Sequence, residues 1–324
     1  MTAVSTPAAQ RRRVEFGRLA RGGLPVWLVV LALVVGLTID NPAGFWSPAN
    51  IAGILTGTVV LGLVSLGQHL VALSGGIDLS VGSMATLSCL LTALLIDAYP
   101  IRTVPVLLAM LVLGALVGVI HGMLVTRAGL APFVVTLSTF YLLQGIAFLI
   151  STTPVGRVTT QLSSLGLTQW GPIPEAFLVL VVAVIAVFFL VRMTVWGRHL
   201  YAAGGDTDAA RSAGVPVGRT VVFAYVAGGI LAAAAGIMLA AQATVGSPTA
   251  GQGLELSAIT VVVVGGVSLL GGRGSLAGTL GGIALLALLE SSFTLLQLPA
   301  TWTDLVRGVV ILAAVAIFVA RPRR

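Results

Sequence analysis

Residues 175–195 read EAFLVLVVAVIAVFFLVRMTV, and this stretch decides the fold class of the chain. A helix that crosses the hydrocarbon core of a bilayer needs about 20 mostly apolar residues. The same criterion finds about ten candidate spans in the chain. They lie near residues 24–39, 50–73, 83–97, 104–125, 132–151, 175–195, 220–242, 255–270, 275–296 and 302–320, and the third and eighth are short. The sequence therefore predicts an all-α integral membrane protein.

The composition indicates the same class. Hydrophobic residues make up 57% of the 324 residues and charged residues only 8%, and the mean hydropathy is +1.09. A soluble domain carries about 25% charged residues, so lipid must cover much of this chain. The formal net charge of +7 lies between apolar runs and at the two ends, without a basic face interleaved with aromatic residues. This distribution argues against nucleic acid as a partner.

The chain contains no lysine. A Walker A loop needs a lysine for the β- and γ-phosphates of ATP, so any ATP and Mg²⁺ that drive this protein are used by another polypeptide. The only cysteine, Cys89, excludes an intrachain disulfide. Because no His/Glu set has metal-ligand spacing and no Ser/His/Asp arrangement is evident, we predict no metal, catalytic or cofactor site in this chain.

The arginine positions predict the topology, because short cytoplasmic loops are enriched in arginine. With the N-terminus inside and ten spans, fourteen of the seventeen arginines fall on the cytoplasmic side, and only Arg102 and Arg157 fall outside. The predicted organisation is a cytoplasmic tail over residues 1–23, a transmembrane domain over residues 24–320 and a cytoplasmic tail over residues 321–324. Both termini are therefore predicted to be cytoplasmic.

Glycines spaced four residues apart predict close packing between helices in lipid. Three such rows occur, namely Gly114, Gly118 and Gly122; Gly274, Gly278 and Gly282; and Gly53 and Gly57. Residues 75–79 (GGIDL) also resemble residues 265–269 (GGVSL). Duplicated transporter halves and chance in a glycine-rich chain explain that likeness about equally well.

The loop over residues 196–219 is the longest predicted cytoplasmic connection. Asp206 suits the N-cap of a small helix, Gly214 suits the position after its last turn, and Pro216 prevents continuation. About seven residues are too few for a stable isolated helix. We weigh two interpretations, a docking helix for a cytoplasmic partner and an amphipathic loop that lies on the lipid headgroups.

The segment over residues 73–82 reads LSGGIDLSVG and joins two spans. Gly75 and Gly76 break the helix, while Asp78 and Ser80 bring polarity to an apolar region. An acidic residue near membrane depth is costly and usually faces a cavity or a partner. The segment therefore either caps the following span or forms part of a solute path or gate.

A third polar segment covers residues 245–259, where Glu255 opens the eighth span and its carboxylate suits a helix N-terminus. The fifth span carries a polar stripe that either binds a hydroxylated solute or bonds neighbouring helices. The candidate path or gate residues are Gly75, Gly76, Asp78, Ser80, Thr136, Thr139, Gln144, Pro248, Thr249 and Glu255.

Four stretches carry a family resemblance, namely residues 75–82, residues 132–145 around Val135-Thr136-Leu137, residues 197–214, and residues 248–256 continuing through 265–274. Together they resemble permease subunits of ATP-binding-cassette importers, in the ribose-type branch that includes permeases for simple sugars and autoinducer-2. The chain departs from the family pattern at three positions. Asp206 stands where Asn is common, Ser138 where Gly is common, and Val267 where Thr is common.

The resemblance implies two cytoplasmic ABC ATPase subunits, an extracytoplasmic solute-binding protein, and a second permease copy in a homodimer or a related heterodimer, all at a bacterial inner membrane. It also implies that the mid-chain loop is the coupling helix that contacts the ATPase. The residues of that loop are Gly197, Arg198, Tyr201, Gly204, Gly205, Asp206, Asp208, Ala210, Arg211 and Gly214.

The predicted function is therefore import of a small polar solute such as a monosaccharide by alternating access. Within the family, autoinducer-2 or another non-sugar solute is the alternative cargo. An ion-coupled secondary transporter is a second alternative, for which Asp78, Glu290 and Asp304 are candidate ion-site residues. An intramembrane enzyme is a third, but it would need paired catalytic side chains that the sequence does not show.

Overall fold

The computed structural model describes residues 23–297 together with Leu305, Gly308 and Val309. Its helices are α1 (Leu24–Asp40), α2 (Pro42–Phe45), α3 (Pro48–Leu73), α4 (Val81–Ile96), α5 (Pro100–Thr126), α6 (Pro132–Ile150), α7 (Thr160–Leu167), α8 (Glu175–Met193), α9 (Val195–Gly205), α10 (Thr207–Ser212), α11 (Val217–Ala243), α12 (Leu254–Val264) and α13 (Leu276–Leu295). Strands β1 (Gln169–Trp170) and β2 (Ile173–Pro174) form one small antiparallel pair. The predicted all-α membrane architecture is confirmed.

Six helices in the described part of the chain are long and apolar enough to cross a membrane, namely α3, α5, α6, α8, α11 and α13. Helices α1, α4 and α12 are apolar but shorter. The predicted span over residues 302–320 and both terminal tails lie outside the described residues, apart from Gly23 and the three isolated positions. The total of ten spans and the cytoplasmic termini therefore stay predictions.

The predicted eighth span is wrong at its C-terminal end, because α12 stops at Val264 instead of continuing to residue 270. Gly265 and Gly266 end the helix, and Gly266 has a φ of +80° that favours glycine. The predicted sixth span, residues 175–195, agrees with α8 to within two residues. The separate helix α9 follows after Thr194, whose hydroxyl accepts from the amide of Gly197.

Helices α3 and α11 form the centre of the molecule. From Thr58 to Leu73 every residue of α3 is buried, and α11 packs against α3, α4 and α5. Helices α5, α6 and α8 expose large apolar side chains such as Leu108, Leu142 and Val182. In a bilayer these faces meet acyl chains, which explains why the composition has so few charges.

Two of the three glycine rows pack as predicted. A side chain added at Gly114 or Gly118 of α5 would collide with the backbone of α11, and one at Gly282 would collide with Val261. These positions let the helix backbones approach closely. The third row makes no such contact with the described residues, because a side chain at Gly53 or Gly57 would meet none of their atoms within 4 Å.

Candidate functional site

The first linker, residues 74–80, joins α3 to α4 and begins with a tight turn. Gly75 has a φ of +84°, and its amide donates to the Ala72 carbonyl at 3.0 Å. The amide of Gly76 donates to the Val71 carbonyl at 3.1 Å. These paired bonds are the Schellman helix ending, which favours glycine at its left-handed position.

The third linker, residues 265–275, joins α12 to α13 and begins in the same way. The amide of Gly266 donates to the Val263 carbonyl, and that of Val267 to the Val262 carbonyl, both at 2.9 Å. The likeness between residues 75–79 and 265–269 thus reflects a shared helix ending, with the left-handed glycine shifted by one position. Helix-end chemistry explains it without a duplication.

The first turn contacts residues 270–272 of the third linker, and helix α9 packs onto both segments. The amide of Gly272 donates to the Leu73 carbonyl at 3.0 Å. A Cβ at Gly204 of α9 would overlap the oxygen of that same carbonyl and would lie 2.7 Å from the Gly272 amide nitrogen. At Gly205 the nearest atom would be the Gly272 Cα at 3.9 Å. Of these two glycines of α9, therefore, only Gly204 has no room for a side chain.

Tyr201 adds a second contact between α9 and the third linker. Its hydroxyl donates to the Gly274 carbonyl at 3.0 Å. Burial raises the pKa of the Tyr201 phenol, with a smaller opposing effect from the charge of Arg192. The hydroxyl therefore keeps the proton that it donates.

The predicted small helix is confirmed as α10, which follows α9 directly. The Asp206 carboxylate accepts from the amides of Asp208 at 3.1 Å and Ala209 at 2.9 Å, so it is the N-cap. Gly214 has a φ of +81° and follows the last turn, as predicted. Ala210 is buried against α11, whereas Arg198, Asp206, Asp208 and Arg211 are exposed. The polar face of α9 and α10 is thus open to a partner.

In the second half of the first linker, Asp78 and Ser80 are buried among polar groups. One carboxylate oxygen of Asp78 accepts from the Ser80 amide at 2.8 Å and the Ser80 hydroxyl at 2.6 Å. The other oxygen lies 3.8 Å from Nδ1 of His121, and Tyr225 packs edge-on against His121. Asp78 is only 2% exposed. It bonds Ser80 and not the first-turn amides of α4, and the Ser80 side chain makes no capping bond either.

The second linker, residues 244–253, joins α11 to α12 and runs along α4. Gly246 packs against Leu90, and Gly251 packs against Gly82 and Thr86. From Leu90 to Gly82 the helix covers eight residues, or about 12 Å at about 1.5 Å per residue. The linker therefore follows α4 deep into the bundle without being helical.

The second linker and the start of α12 contact the first turn of α4, which directly follows the first linker. The Glu255 side chain lies against Gly82, and one of its oxygens accepts from the Gly253 amide at 3.2 Å. Its other oxygen is buried and accepts no hydrogen bond from a described residue. Glu255 lies in the first turn of α12, as predicted, but it also faces α4.

Helix α6 contacts both linkers through the predicted polar stripe. The Thr136 hydroxyl lies 3.0 Å from the Ile77 carbonyl of the first linker, and Gln144 Nε2 donates to the Pro248 carbonyl of the second at 2.8 Å. Thr139 instead donates to Val135 of its own helix, and Thr249 is exposed beside Ser247. The predicted stripe consists of Thr136, Ser138, Thr139 and Gln144, and it joins the linkers through two of these four members.

Two of the residues that depart from the family pattern lie in different environments. Ser138 is exposed and donates to the Val134 carbonyl, while Val267 is fully buried against Gly274. The sequence did not single out Thr86 or Tyr225, although both contact the linkers. Neither residue belongs to a periodic pattern, because α4 and α11 are apolar or small on nearly every side.

We expect Thr136→Val to impair transport more than Thr139→Val. Both replacements remove one hydroxyl from α6, but only Thr136 reaches the Ile77 carbonyl of the first linker. The Thr136 hydroxyl proton is shared between the partly buried Ile77 carbonyl and the Pro132 carbonyl of its own helix, both at 3.0 Å. Loss of a buried donor costs about 1–3 kcal/mol, and for this partly buried bond we expect a several-fold fall in uptake for Thr136→Val. Initial uptake rates at matched membrane levels check this. Equal rates for the two variants would show that the bond to the first linker has no role.

Comparisons with known proteins agree with this architecture. The model of a family described as "Branched-chain amino acid transport system / permease component" matches residues 50–315. The chain is 37% identical to the "Probable ABC transporter permease protein y4mJ" of Sinorhizobium fredii, over 97% of this chain and 94% of that protein. It is 34% identical to the ribose import permease of Bacillus subtilis, over 94% of this chain and 95% of that protein.

It is also 34% identical to the fructose import permease of Rhizobium meliloti, over 91% of this chain and 84% of that protein. No solved structure matches the chain. The family model covers far more than half of the chain, and the relatives align with nearly all of it. The chain therefore belongs to this family of transport-system permease components, as a multi-pass transport subunit of the ABC importer type and not an enzyme.

Proposed function

We propose that this chain is the membrane-spanning subunit of an ATP-driven importer that moves a monosaccharide or a similar neutral solute into a bacterial cell. Relatives that are named as ribose and fructose import permeases support the cargo class. The observation that carries the coupling part of the proposal is the contact of α9, at Gly204, with the Leu73 carbonyl and the Gly272 amide. Helix α9 thereby contacts both the end of α3, where the first linker begins, and the third linker.

A continuous series of contacts leads from α9 into the bundle. The Leu73 turn continues into the first linker, Thr136 bonds that linker, and Gly82 at the start of α4 meets Gly251 and Glu255 of the opposite segment. We propose that ATP-dependent movement of α9 and α10 displaces the first linker, which then alters its packing against the second. The linker residues would form the gate, and the solute would pass when that packing opens.

The proposed topology has ten spans with both termini in the cytoplasm, and it is supported by the arginine distribution. It puts α9 and α10 on the cytoplasmic side, where ABC ATPase subunits bind ATP and Mg²⁺. A solute-binding protein would deliver the cargo to the opposite face, and a second permease copy would complete the pore. We propose that the exposed residues Arg198, Asp208 and Arg211 contact the ATPase.

Uptake into proteoliposomes tests this function. The chain is reconstituted with its ATPase and with ATP inside the liposomes, and the binding protein is added outside. Uptake of labelled ribose, arabinose and fructose is then measured. We expect uptake that needs ATP and both partners and that persists with a protonophore. Uptake that proceeds without the ATPase, or that stops when the proton gradient collapses, would contradict the proposal.

An ion-coupled secondary transporter is the second candidate function. The observation that favours it is the buried pair of Asp78 and His121, with 3.8 Å between the carboxylate and the imidazole. Buried ionisable groups at membrane depth are typical of proton or ion paths. The protonophore arm of the same experiment distinguishes the two candidates.

A further inference from the structure

Three buried side chains meet where the first linker contacts α5 and α11. Asp78 belongs to the linker, His121 to α5 and Tyr225 to α11, and each is at most 2% exposed. We call these three residues the linker cluster. Burial of polar atoms is unfavourable unless they are hydrogen-bonded. The contacts within this cluster therefore affect where the first linker is stable.

The linker cluster leaves hydrogen-bonding capacity unused. Neither ring nitrogen of His121 has a hydrogen-bond partner among the described residues, and the Tyr225 hydroxyl has none there either. One carboxylate oxygen of Asp78 lies 3.8 Å from Nδ1 of His121. A charge-assisted N–H···O bond is about 2.7–2.9 Å long, so an approach of about 1 Å would convert this contact into a hydrogen bond.

Helices α5 and α11 form a fixed frame around this contact. Gly118 and Gly122 of α5 precede and follow His121 in the chain, and a side chain at either glycine would collide with α11, at the Tyr225 carbonyl oxygen and at Val222. The rings of His121 and Tyr225 also meet edge to face, with 5.9 Å between their centroids. Closely packed interiors are hardly compressible, so His121 and Tyr225 keep their positions relative to each other.

The first linker is the part of the cluster that can move. It is not helical, and it rests on α11 at Gly76, where a side chain would overlap the Tyr225 hydroxyl. The amide and the hydroxyl of Ser80 bond the other oxygen of Asp78, and both bonds are internal to the chain between residues 78 and 80. Asp78 and Ser80 can therefore shift together towards His121 without losing those bonds.

We infer that His121 is a positioning residue for the first linker. When ATP-dependent movement of α9 displaces that linker, the Asp78 carboxylate closes on His121, and the new hydrogen bond holds the linker in its displaced position. An imidazole with a proton on Nδ1 is the donor in this bond. The inference rests on the proposed function, because it names the residue that receives the linker after the coupling movement.

Two variants of His121 separate the hydrogen bond from packing. His121→Phe keeps a flat ring beside Tyr225 but has no donor, whereas His121→Asn keeps a donor close to the position of Nδ1. Uptake and ATP hydrolysis are measured on the same proteoliposomes. We expect the number of sugar molecules imported per ATP to fall by about tenfold in His121→Phe and by less than about threefold in His121→Asn. A purely structural role would change the Tm without separating the two ratios.

A spectroscopic measurement on the wild type does not depend on the folding of any variant. The chain has three histidines, His69, His121 and His199. Nitrogen-15 labelling of histidine in this chain alone gives their ring signals, and His121→Asn identifies those of His121. The complex is compared without nucleotide and after trapping with ATP, Mg²⁺ and vanadate. We expect the Nδ1 signal of His121 to shift on trapping, while that of His69, which already lies 2.8 Å from the Thr279 hydroxyl, stays unchanged.

Two results would overturn the positioning role, namely an unchanged Nδ1 signal of His121 in the trapped complex, or equal ratios of sugar to ATP for His121→Phe and His121→Asn. Either result, obtained while the wild type keeps ATP-dependent uptake, refutes only the role of His121. Loss of ATP dependence in the wild type refutes the proposed function instead.

Discussion

Replacing Gly204 with alanine is expected to reduce ATP-driven uptake by about tenfold or more, while Gly205→Ala keeps uptake close to that of the wild type. The two glycines are neighbours at the end of α9, so both replacements add one methyl group to the same helix. At Gly204 that methyl would overlap the Leu73 carbonyl oxygen, whereas at Gly205 its nearest neighbour would be 3.9 Å away. Overpacking of a tight contact typically costs about 1–3 kcal/mol, and about 1.4 kcal/mol corresponds to a factor of ten.

The pair of variants separates the contact from the helix propensity. Alanine favours a helix over glycine by about 1 kcal/mol, and this gain is similar at the two positions. Uptake and ATP hydrolysis are measured on the same reconstituted complex. We expect Gly204→Ala to hydrolyse ATP with little transport, because α9 can no longer rest on the Leu73 turn. Full uptake by Gly204→Ala, or equal losses in both variants, would contradict a role for this contact in coupling.

The sequence predicted the capped ends of the short helix α10 correctly but missed where an apolar span stops. Asp206 and Gly214 were assigned correctly to the two ends of α10, because capping depends on local chemistry that spacing alone reveals. The end of α12 at Val264 was missed. Residues 265–270 contain no proline or charged residue, so their sequence resembles the continuation of an apolar span. The left-handed conformation of Gly266 nevertheless ends the helix.

The contacts of the site could not be predicted from the sequence. Gln144 and Pro248 are 104 positions apart in the chain, and Gly204 meets Leu73 across a comparable separation. Such pairs depend on how the spans pack. The spans carry little periodic signal, because lipid and protein neighbours both favour apolar side chains. Polar residues such as Thr136 could be recognised as unusual, but their partners could not be named.

The space beside Gly57 of α3 shows the same limit. Its lining residues Thr56, Gln242, Gln252 and Glu290 come from four separate parts of the chain, and each alone is an ordinary polar residue of a membrane protein. Gly114 and Gly118 lie against α11, whereas a side chain at Gly57 would meet no atom of the described residues within 4 Å.

The second large effect is expected at Thr86 of α4, which fixes the second linker in place. Its hydroxyl donates to the Gly82 carbonyl and accepts from the Gly251 amide, both at 3.0 Å. Thr86→Val removes that acceptor and leaves a buried amide without a partner, which costs about 1–3 kcal/mol. We therefore expect a lower free energy of unfolding and, because the linker loses its attachment to α4, a strong fall in uptake.

Thr92 of the same helix is the matched control. It is as fully buried as Thr86, but its hydroxyl has no hydrogen-bond partner in the described part of the chain. Thr92→Val removes a buried polar atom without leaving a partner unbonded, so it should be neutral or stabilising. Thermal unfolding in detergent gives the Tm of each variant. A loss of about 1 kcal/mol lowers the Tm of a chain of about 150–250 residues by about 2–4 °C. If the two variants lose the same stability and the same uptake, the Thr86–Gly251 bond does not hold the second linker. The proposal that this linker is attached to α4 as part of the gate would then be wrong.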